Sequence, residues 1–426
     1  MKKRYYSIIS IGIVLPSLLI ACNAAKISED DLLIPTFETE KHIQIGAWSW
    51  TVQNVNNNQL QGLKDAGLNL LVGTFNNDET ANAGLIERAS KYDMGIILDK
   101  RPWSGEIPSY ANKDSFLGYC VFDEPILSDL DNIKAMKEAW DKSELKDKLF
   151  YVNLNPCYSS RLGGTYDEYI RRFTEDANLG MVSSDYYAMY QDGAGGTSLR
   201  QDWLQDLDVT SYYAYKNNKP LWFTLLTTEH NASGVEYINP TASDLSYQMY
   251  VAMAFGTTYF LHYTFSATGA DHINPIINNK GEWTDSYYDV KESSETIRQF
   301  EDVFMSFNWK AISGIFGEDE DSDGLLDYLN YDVPVDTFDV LKKAKSSEDV
   351  VIGHFENDDN KGLMITNITN PYLEKDASVT LTFNSKYKGI KVFEGEKEKV
   401  IILNKGNVTL DVKSGKGIFI VPLITK

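Results

Sequence analysis

The chain has 426 residues, 61 of them acidic against 40 basic, for a formal charge of −21. So acidic a surface excludes nucleic acid and anionic membrane as partners held by charge, and it weighs against polyanionic glycans. Five scattered histidines and three cysteines without CxxC or Cys/His spacing argue against a transition-metal centre, and nothing in the pattern requires a cofactor.

In chain order, the first element is an export signal. Lys2, Lys3 and Arg4 precede an apolar run from Ile8 to Ile20, too short and too abruptly ended for a good membrane span. Residues 1–21 are therefore read as a signal peptide, whose removal deletes three positive charges and takes the formal charge to −24. The run closes in Leu18-Leu19-Ile20-Ala21-Cys22, which resembles a bacterial lipobox. The resemblance implies lipidation of Cys22 and membrane contact through that anchor alone. Residues 22–40 read as a polar tether. Its acidic cluster Ser28-Glu29-Asp30-Asp31 is similar to the surface-export signal of Bacteroidetes lipoproteins, which implies an outer-membrane or cell-surface location.

From residue 43 apolar strand-like runs alternate with helical patterns. The strands are expected at Ile43–Trp50, Leu68–Phe75, Met94–Asp99, Phe116–Glu124, Leu149–Asn155, Met181–Tyr190, Leu221–Glu229 and Tyr259–Phe265. Between and after them helices are expected through Leu60–Ala66, Ala81–Tyr92, Ser128 (an N-cap) to Lys142, Tyr166–Asn178, Ser198–Asn217, Ala242–Phe255 and Asp289–Phe307. Such repetition predicts an α/β fold, a (β/α)8 TIM barrel over residues 41–310. A doubly wound sheet is the alternative, but no glycine-rich phosphate turn follows the first strand. Residues 311–346 read as an acidic linker. Residues 347–426, rich in short strands with Gly/Asn/Asp turns, read as a small all-β sandwich.

A (β/α)8 barrel carries its chemistry at the carboxyl ends of its strands. The residues standing there are Trp48 and Trp50, Asp99, Lys100 and Arg101, Asp123 and Glu124, Asn153 and Asn155, Asp185, Tyr186 and Tyr187, Glu229 and His230, and His262 with Tyr263. Strand alternation groups Gly118, Cys120, Phe122 and Glu124 on one face, and Phe223, Leu225, Thr227 and Glu229 on another. Two carboxylates across one mouth are what glycoside hydrolysis needs: one protonates the leaving oxygen, the other attacks or activates water.

Asp123-Glu124-Pro125, within Gly118-Tyr119-x-x-x-Asp-Glu-Pro, resembles the Asn-Glu-Pro of the large clan of retaining (β/α)8 glycoside hydrolases, which place an acid/base at strand four and a nucleophile at strand seven. Gly281-Glu282-Trp283-Thr284 is similar to the segment ahead of their last barrel helix. The resemblance implies Glu124 as acid/base and Glu229 as nucleophile, on an oligo- or polysaccharide. Trp48, Trp50, Asp99, Asp123, Asn153, Asp185, Tyr187, His262 and Tyr263 are the expected substrate contacts, with Asp185 and Asp99 as substitutes for Glu229. Asp123 departs from the pattern, because it can accept a hydrogen bond from a sugar hydroxyl but cannot donate one. Other readings stay open: Glu124 as a helix N-terminal charge, Glu229 as a loop residue, His262 as a core histidine, and the whole barrel as a glycan-binding lipoprotein whose catalytic pair has decayed.

One further motif lies in the linker. Asp319, Asp321, Asp323 and Asp327 stand at loop positions 1, 3, 5 and 9 with Gly324 at 6, the spacing of a structural calcium loop, although Asn330 stands where a bidentate glutamate is usual. A plain acidic linker is the competing reading.

Overall fold

The computed structural model of the chain describes residues 27–49, 55–74, 78–232, 234–267, 271–318, 324–395 and 397–426. Eight parallel strands form its centre: Gln44–Ser49, Leu70–Thr74, Gly95–Asp99, Phe116–Asp123, Leu149–Asn153, Val182–Ser184, Leu221–Leu226 and Tyr259–Ser266, here called the first to eighth barrel strands. Each pairs with its sequence neighbour, and the eighth pairs back onto the first. The fifth and sixth meet through a single parallel bridge, Leu154 with Ser184, and the Leu154 amide donates to the Ser183 carbonyl at 2.9 Å. The fold is a (β/α)8 barrel followed by an all-β domain.

Alternation sorts the side chains of these strands. Leu70, Ile97, Cys120, Tyr151, Trp222 and Leu261 fill the barrel, while Ile96, Leu98, Phe223, Leu225 and Phe260 meet the helices outside. Several helices start where local chemistry satisfies their free amides. Asn56 and Gln59 form a reciprocal capping box at Asn57–Asp65, each side chain accepting the other's backbone N–H at 3.0 Å. Thr241 and Asp244 do the same for Ala242–Ala254. Ser128 is not a cap: a 3-10 turn, Leu127–Asp129, precedes the helix Leu130–Trp140, and the Asp129 carboxylate takes the Ile126 N–H instead.

Several expected elements divide or shorten. The run expected as one strand at Met181–Tyr190 is the sixth barrel strand plus Met189–Gln191, which leaves the barrel. Met189–Gln191 joins Thr197–Leu199, His230–Ala232 and Val235–Tyr237 in a separate four-stranded sheet. The helix expected from Ser198 therefore starts only at Trp203. The last barrel helix breaks into Asp285–Arg298 and Glu301–Met305.

The acidic linker is more ordered than its composition implies. Strands Asn308–Ile315 and Leu341–Ser346 overlap residues 311–346 and belong to the two sheets of the following domain, of six and three strands. In the six-stranded sheet, Ile352, Leu363 and Ile365 face the three-stranded sheet. Val351, Met364 and Phe419, on the opposite face, join the barrel core. Contact with the helix Ala242–Ala254 is close: a Cβ at Gly353 would lie 2.2 Å from the Ala254 carbonyl, and Thr366 donates to the Tyr250 carbonyl at 3.2 Å.

The described part of the expected tether is not free. Leu32 bridges Thr425, the Leu33 amide donates to the Ile424 carbonyl at 2.9 Å, and the Lys426 amide donates to the Asp31 carbonyl at 3.0 Å. Leu32 is buried beside Gly389. Residues 1–26, with the signal peptide and Cys22, lie outside the described residues.

Candidate active site

The fourth strand sets the geometry. Gly118 has φ +152°, and a Cβ there would lie 2.1 Å from the Leu149 carbonyl oxygen, so only glycine fits. A β-bulge between Cys120 and Phe122 then adds a residue against the fifth strand. The bulge reverses the phase of alternation. Cys120 points into the barrel, Phe122 packs against the outer layer, and Asp123 turns into the mouth, so the grouping of Phe122 with Glu124 on an inward face is corrected. Glu124 follows with φ +47°, a left-handed turn that lets both carboxylates line one cavity.

The turn is pinned from behind. The Glu124 amide donates to the Asn153 carbonyl at 2.8 Å, while the Pro125 carbonyl accepts from Asn155 Nδ2 and from the Tyr169 hydroxyl, both at 2.7 Å. Asn155 thus supports the site without entering it.

The cavity, about 380 Å³, opens at the carboxyl ends of the strands. Among the expected site residues it gathers Trp48, Asp123, Glu124, Asn153, Asp185, Tyr187 and Tyr263. Asp123 accepts from Asn153 Nδ2 at 3.1 Å and pairs with Arg101 at 2.6 Å. Arg101 also pairs with Asp99 at 2.5 Å, and its guanidinium lies 5.8 Å from the Trp48 ring centroid. Asp99 does not line the cavity; its role is to hold Arg101. Arg161, which no sequence pattern marks, reaches Glu124 at 2.8 Å.

Both inner carboxyls hold protons more tightly than usual. Burial pushes Glu124 up, the Asp123 charge adds to it, and Arg161 opposes. Burial also pushes Asp185 well above the ordinary carboxylate range, reinforced by Glu124 and Asp123, with the Asn153 hydrogen bond opposing. Asp185 Oδ1 is sealed from solvent with no partner among the described residues. Three carboxyls in one poorly solvated cleft favour sharing of protons. That combination of burial and like charge is characteristic of sites performing acid–base chemistry.

The seventh strand departs from expectation. It ends at Leu226, whose N–H and C=O are both taken by the Gln248 side chain, and its inward residues are Trp222 and Thr224. Phe223 and Leu225 face the helices. Glu229 comes after the strand, where alternation no longer applies. Its carbonyl accepts from the Ile273 amide at 2.8 Å, and it is not among the residues lining the cavity. His230 lines the cavity instead.

His262 is likewise on the outer face, fully buried, with Nδ1 2.9 Å from the Thr227 hydroxyl. Burial pushes its pKa down to about 3, so it is a neutral core histidine and not a substrate contact. Trp50 lies outside the described residues.

Several cavity residues fall outside the expected substrate contacts. Tyr151 and Thr224 form part of the lining from strands, and Tyr158, His230, Tyr237 and His272 come from loops and the small sheet. The last three make an aromatic wall with Tyr187 and Tyr263. His230 stacks on Tyr237 at 4.8 Å and on His272 at 5.1 Å, and Tyr187 lies 5.5 Å from Tyr263. Such rings in the same cavity as the carboxylates suit the apolar face of a sugar ring.

Of the expected calcium ligands, Asp319, Asp321 and Asp323 lie outside the described residues, and Asp327 is exposed on a 3-10 turn. Among the described residues no group of histidine, cysteine and acidic side chains could hold a metal. A larger cavity, about 780 Å³, sits at the opposite, amino-terminal end of the barrel, between Gln44, Leu221 and Tyr259 on one side and Trp309 and Phe355 on the other. That end of such a barrel serves stability.

No family model matches this sequence, and no curated protein matches it. Solved structures similar in fold include a candidate alpha-galactosidase from Bacteroides fragilis, with 12% identity, 90% of this chain and 80% of that one covered, and a TM-score of 0.49. A GH5_18 protein from Bifidobacterium longum, in complex with Manb1-4GlcNAc, has 9% identity, 60% and 79% coverage, and a TM-score of 0.44. A beta-galactosidase from Marinomonas ef1 has 8% identity, 62% and 60% coverage, and a TM-score of 0.43. At such distances activity has to be argued from the site.

Proposed function

We propose that this barrel hydrolyses O-glycosidic bonds of a neutral glycan with a pair of carboxyls, Glu124 and Asp185. The observation that carries the reading is their convergence in one cavity lined by aromatic rings, where burial favours the proton that Glu124 has to carry as an acid. Glu124, at the more open lip, gives its proton to the leaving oxygen as the bond to the anomeric carbon breaks. Asp185, deeper in the cleft, attacks that carbon or takes a proton from an attacking water in its ionised form, which the Asn153 hydrogen bond favours against burial. The first course retains the anomeric configuration and the second inverts it. Asp123, held by Arg101 and Asn153, offers an acceptor to a ring hydroxyl.

The test is a screen on aryl glycosides and polysaccharides with the native protein, Glu124→Gln and Asp185→Asn. Each variant should lose about 10²–10⁴-fold in turnover and keep glycan binding. Proton NMR of the first-formed anomer reads which course Asp185 follows. Turnover that survives Glu124→Gln removes that residue from the mechanism.

A second reading has its own support. Arg161 occupies Glu124, and the seventh strand brings no carboxylate to the mouth, as in a barrel that binds glycan without cleaving it. Binding without turnover across the whole screen would favour it. In either case we place the protein outside the cell, anchored through a lipid on Cys22. Metabolic labelling with palmitate that persists in Cys22→Ser would overturn the anchor.

A further inference from the structure

We propose that a second cavity, between the small four-stranded sheet and the segments that follow the barrel, holds the continuation of the neutral glycan chain that enters the mouth. This rests on the glycan reading of the mouth, and it makes the ligand an oligosaccharide chain rather than a single terminal sugar.

The second cavity, about 690 Å³, is built from three parts of the chain. Tyr190 and Val235 come from the small sheet, Gln201 from the segment ahead of the helix Trp203–Lys216, and Tyr328 and Asn370 from beyond the barrel. Asn370 ties these parts together, its Nδ2 donating to the Thr197 carbonyl at 2.6 Å.

The two cavities share a wall. Ala232 pairs with Val235 across one hairpin, and the first lines the mouth while the second lines the new cavity. Arg200, also in the new lining, has its guanidinium 4.3 Å from the Tyr158 ring centroid and donates to the Tyr237 hydroxyl at 3.2 Å. Tyr158 and Tyr237 line the mouth. A chain leaving the mouth past Tyr158, which is 41% exposed, therefore comes next to Arg200 and the second cavity.

The lining suits a neutral ligand rich in hydroxyls. Its two charged groups are already engaged. The Arg200 guanidinium lies within 5.8 Å of the Tyr158, Tyr186 and Tyr237 rings, and Asp202 accepts from the Tyr186 hydroxyl and from Cys157 Sγ. By contrast, no hydrogen bond joins the Tyr190 and Tyr328 hydroxyls, the Ser198 hydroxyl or the Gln201 amide to another described residue. These groups offer donors and acceptors beside aromatic rings, the combination that sugar hydroxyls and the apolar faces of sugar rings require. A formal charge of −21 over the whole chain disfavours an anion there.

Two sites on one ligand chain reinforce each other, because seating one end in the mouth brings the next units to the second cavity at high effective concentration. The experiment is calorimetry on Glu124→Gln with neutral gluco-, galacto-, manno- and xylo-oligosaccharides, α- and β-linked, from disaccharide to hexasaccharide. In the series that binds, affinity should rise about tenfold or more with length and then level off. The readout is the ratio of the longest ligand's affinity to the shortest's. Gln201→Ala and Tyr328→Ala, each added to Glu124→Gln, should lower that ratio severalfold, and together bring it to about one. Both side chains are exposed, so the variants keep the fold. A general loosening would weaken short and long ligands alike. Tyr288→Ala, which removes a 62% exposed ring that lines neither cavity, should leave the ratio as it was.

Affinity independent of length, a ratio unchanged by the paired variants, or an equal fall in Tyr288→Ala overturns the proposal. Length-dependent binding that the pair abolishes, without turnover of any of these ligands by the native protein, keeps the proposal and removes the hydrolase. Turnover with affinity independent of length does the reverse. No binding of any oligosaccharide overturns both.

Discussion

Arg161 holds its guanidinium 2.8 Å from the Glu124 carboxylate at the lip of the barrel. The arginine side chain is 65% exposed, so solvent screens the pair and its contribution to stability is small. Its effect on protonation has a definite sign, because Arg161 opposes the burial and the Asp123 charge that push Glu124 up. Arg161→Gln lets Glu124 keep its proton to higher pH. An acid catalyst works only while protonated, so the alkaline limb of the kcat/KM profile on an aryl glycoside should move to higher pH. A limb that stays put or moves down removes Glu124 from the acid role.

The second carboxyl can be identified by comparing two variants. Asp185→Asn should lower kcat/KM by about 10²–10⁴-fold, whereas Glu229→Gln should change it by less than about twofold. The difference follows from position: Asp185 lines the mouth and Glu229 does not. A large loss on Glu229→Gln would return the seventh strand to the mechanism.

Gly118→Ala tests the bulge. The new methyl would meet the Leu149 carbonyl oxygen at 2.1 Å with φ at +152°, so urea denaturation should show a loss of about 3 kcal/mol or more. Gly180→Ala, with nothing within 4 Å of its added Cβ, should stay within about 0.5 kcal/mol of the native protein. Equal stabilities would show that the fourth strand can relax.

Asp208 links the barrel helix Trp203–Lys216 to the following segment, accepting the Asn330 and Tyr331 amides at 2.6 and 2.8 Å. Burial raises its pKa from 3.8 to about 6. The folded state then binds more protons than the unfolded one between those values, so this group makes stability fall as pH rises from about 4 to about 6 and level off above. Asp206, also raised to about 6, acts in the same direction. Asp208→Asn should therefore flatten part of that fall, as measured by denaturation midpoints across the interval. An unchanged slope would assign the pH dependence elsewhere.

The barrel is legible in the sequence because its strands are short buried runs, most of them followed by a helix, and both signals are local. The site is legible only in part. Asp123, Glu124 and Asp185 stand at strand ends, where the fold puts chemistry. The bulge that aims the first two depends on register against the fifth strand, which no single segment encodes. Glu229 follows a polar run, Thr227-Thr228, that continues the alternation on paper after the real strand has stopped at Leu226. His230, Tyr237 and His272 come from separate loops and the small sheet, so only the folded chain brings them together. The strands within residues 311–346 escape notice because Leu341–Ser346 alternates with lysines at a sheet edge and reads as solvated chain.

The pairing of Leu32 and Leu33 with Ile424 and Thr425 joins stretches nearly the whole sequence apart. During synthesis the early partner emerges long before the late one exists. Residues near position 32 therefore stay without this pairing until residues 424 and 425 have been made. Completion of the all-β domain and seating of the amino-terminal arm are thus a single late event, timed by the ribosome rather than by the barrel.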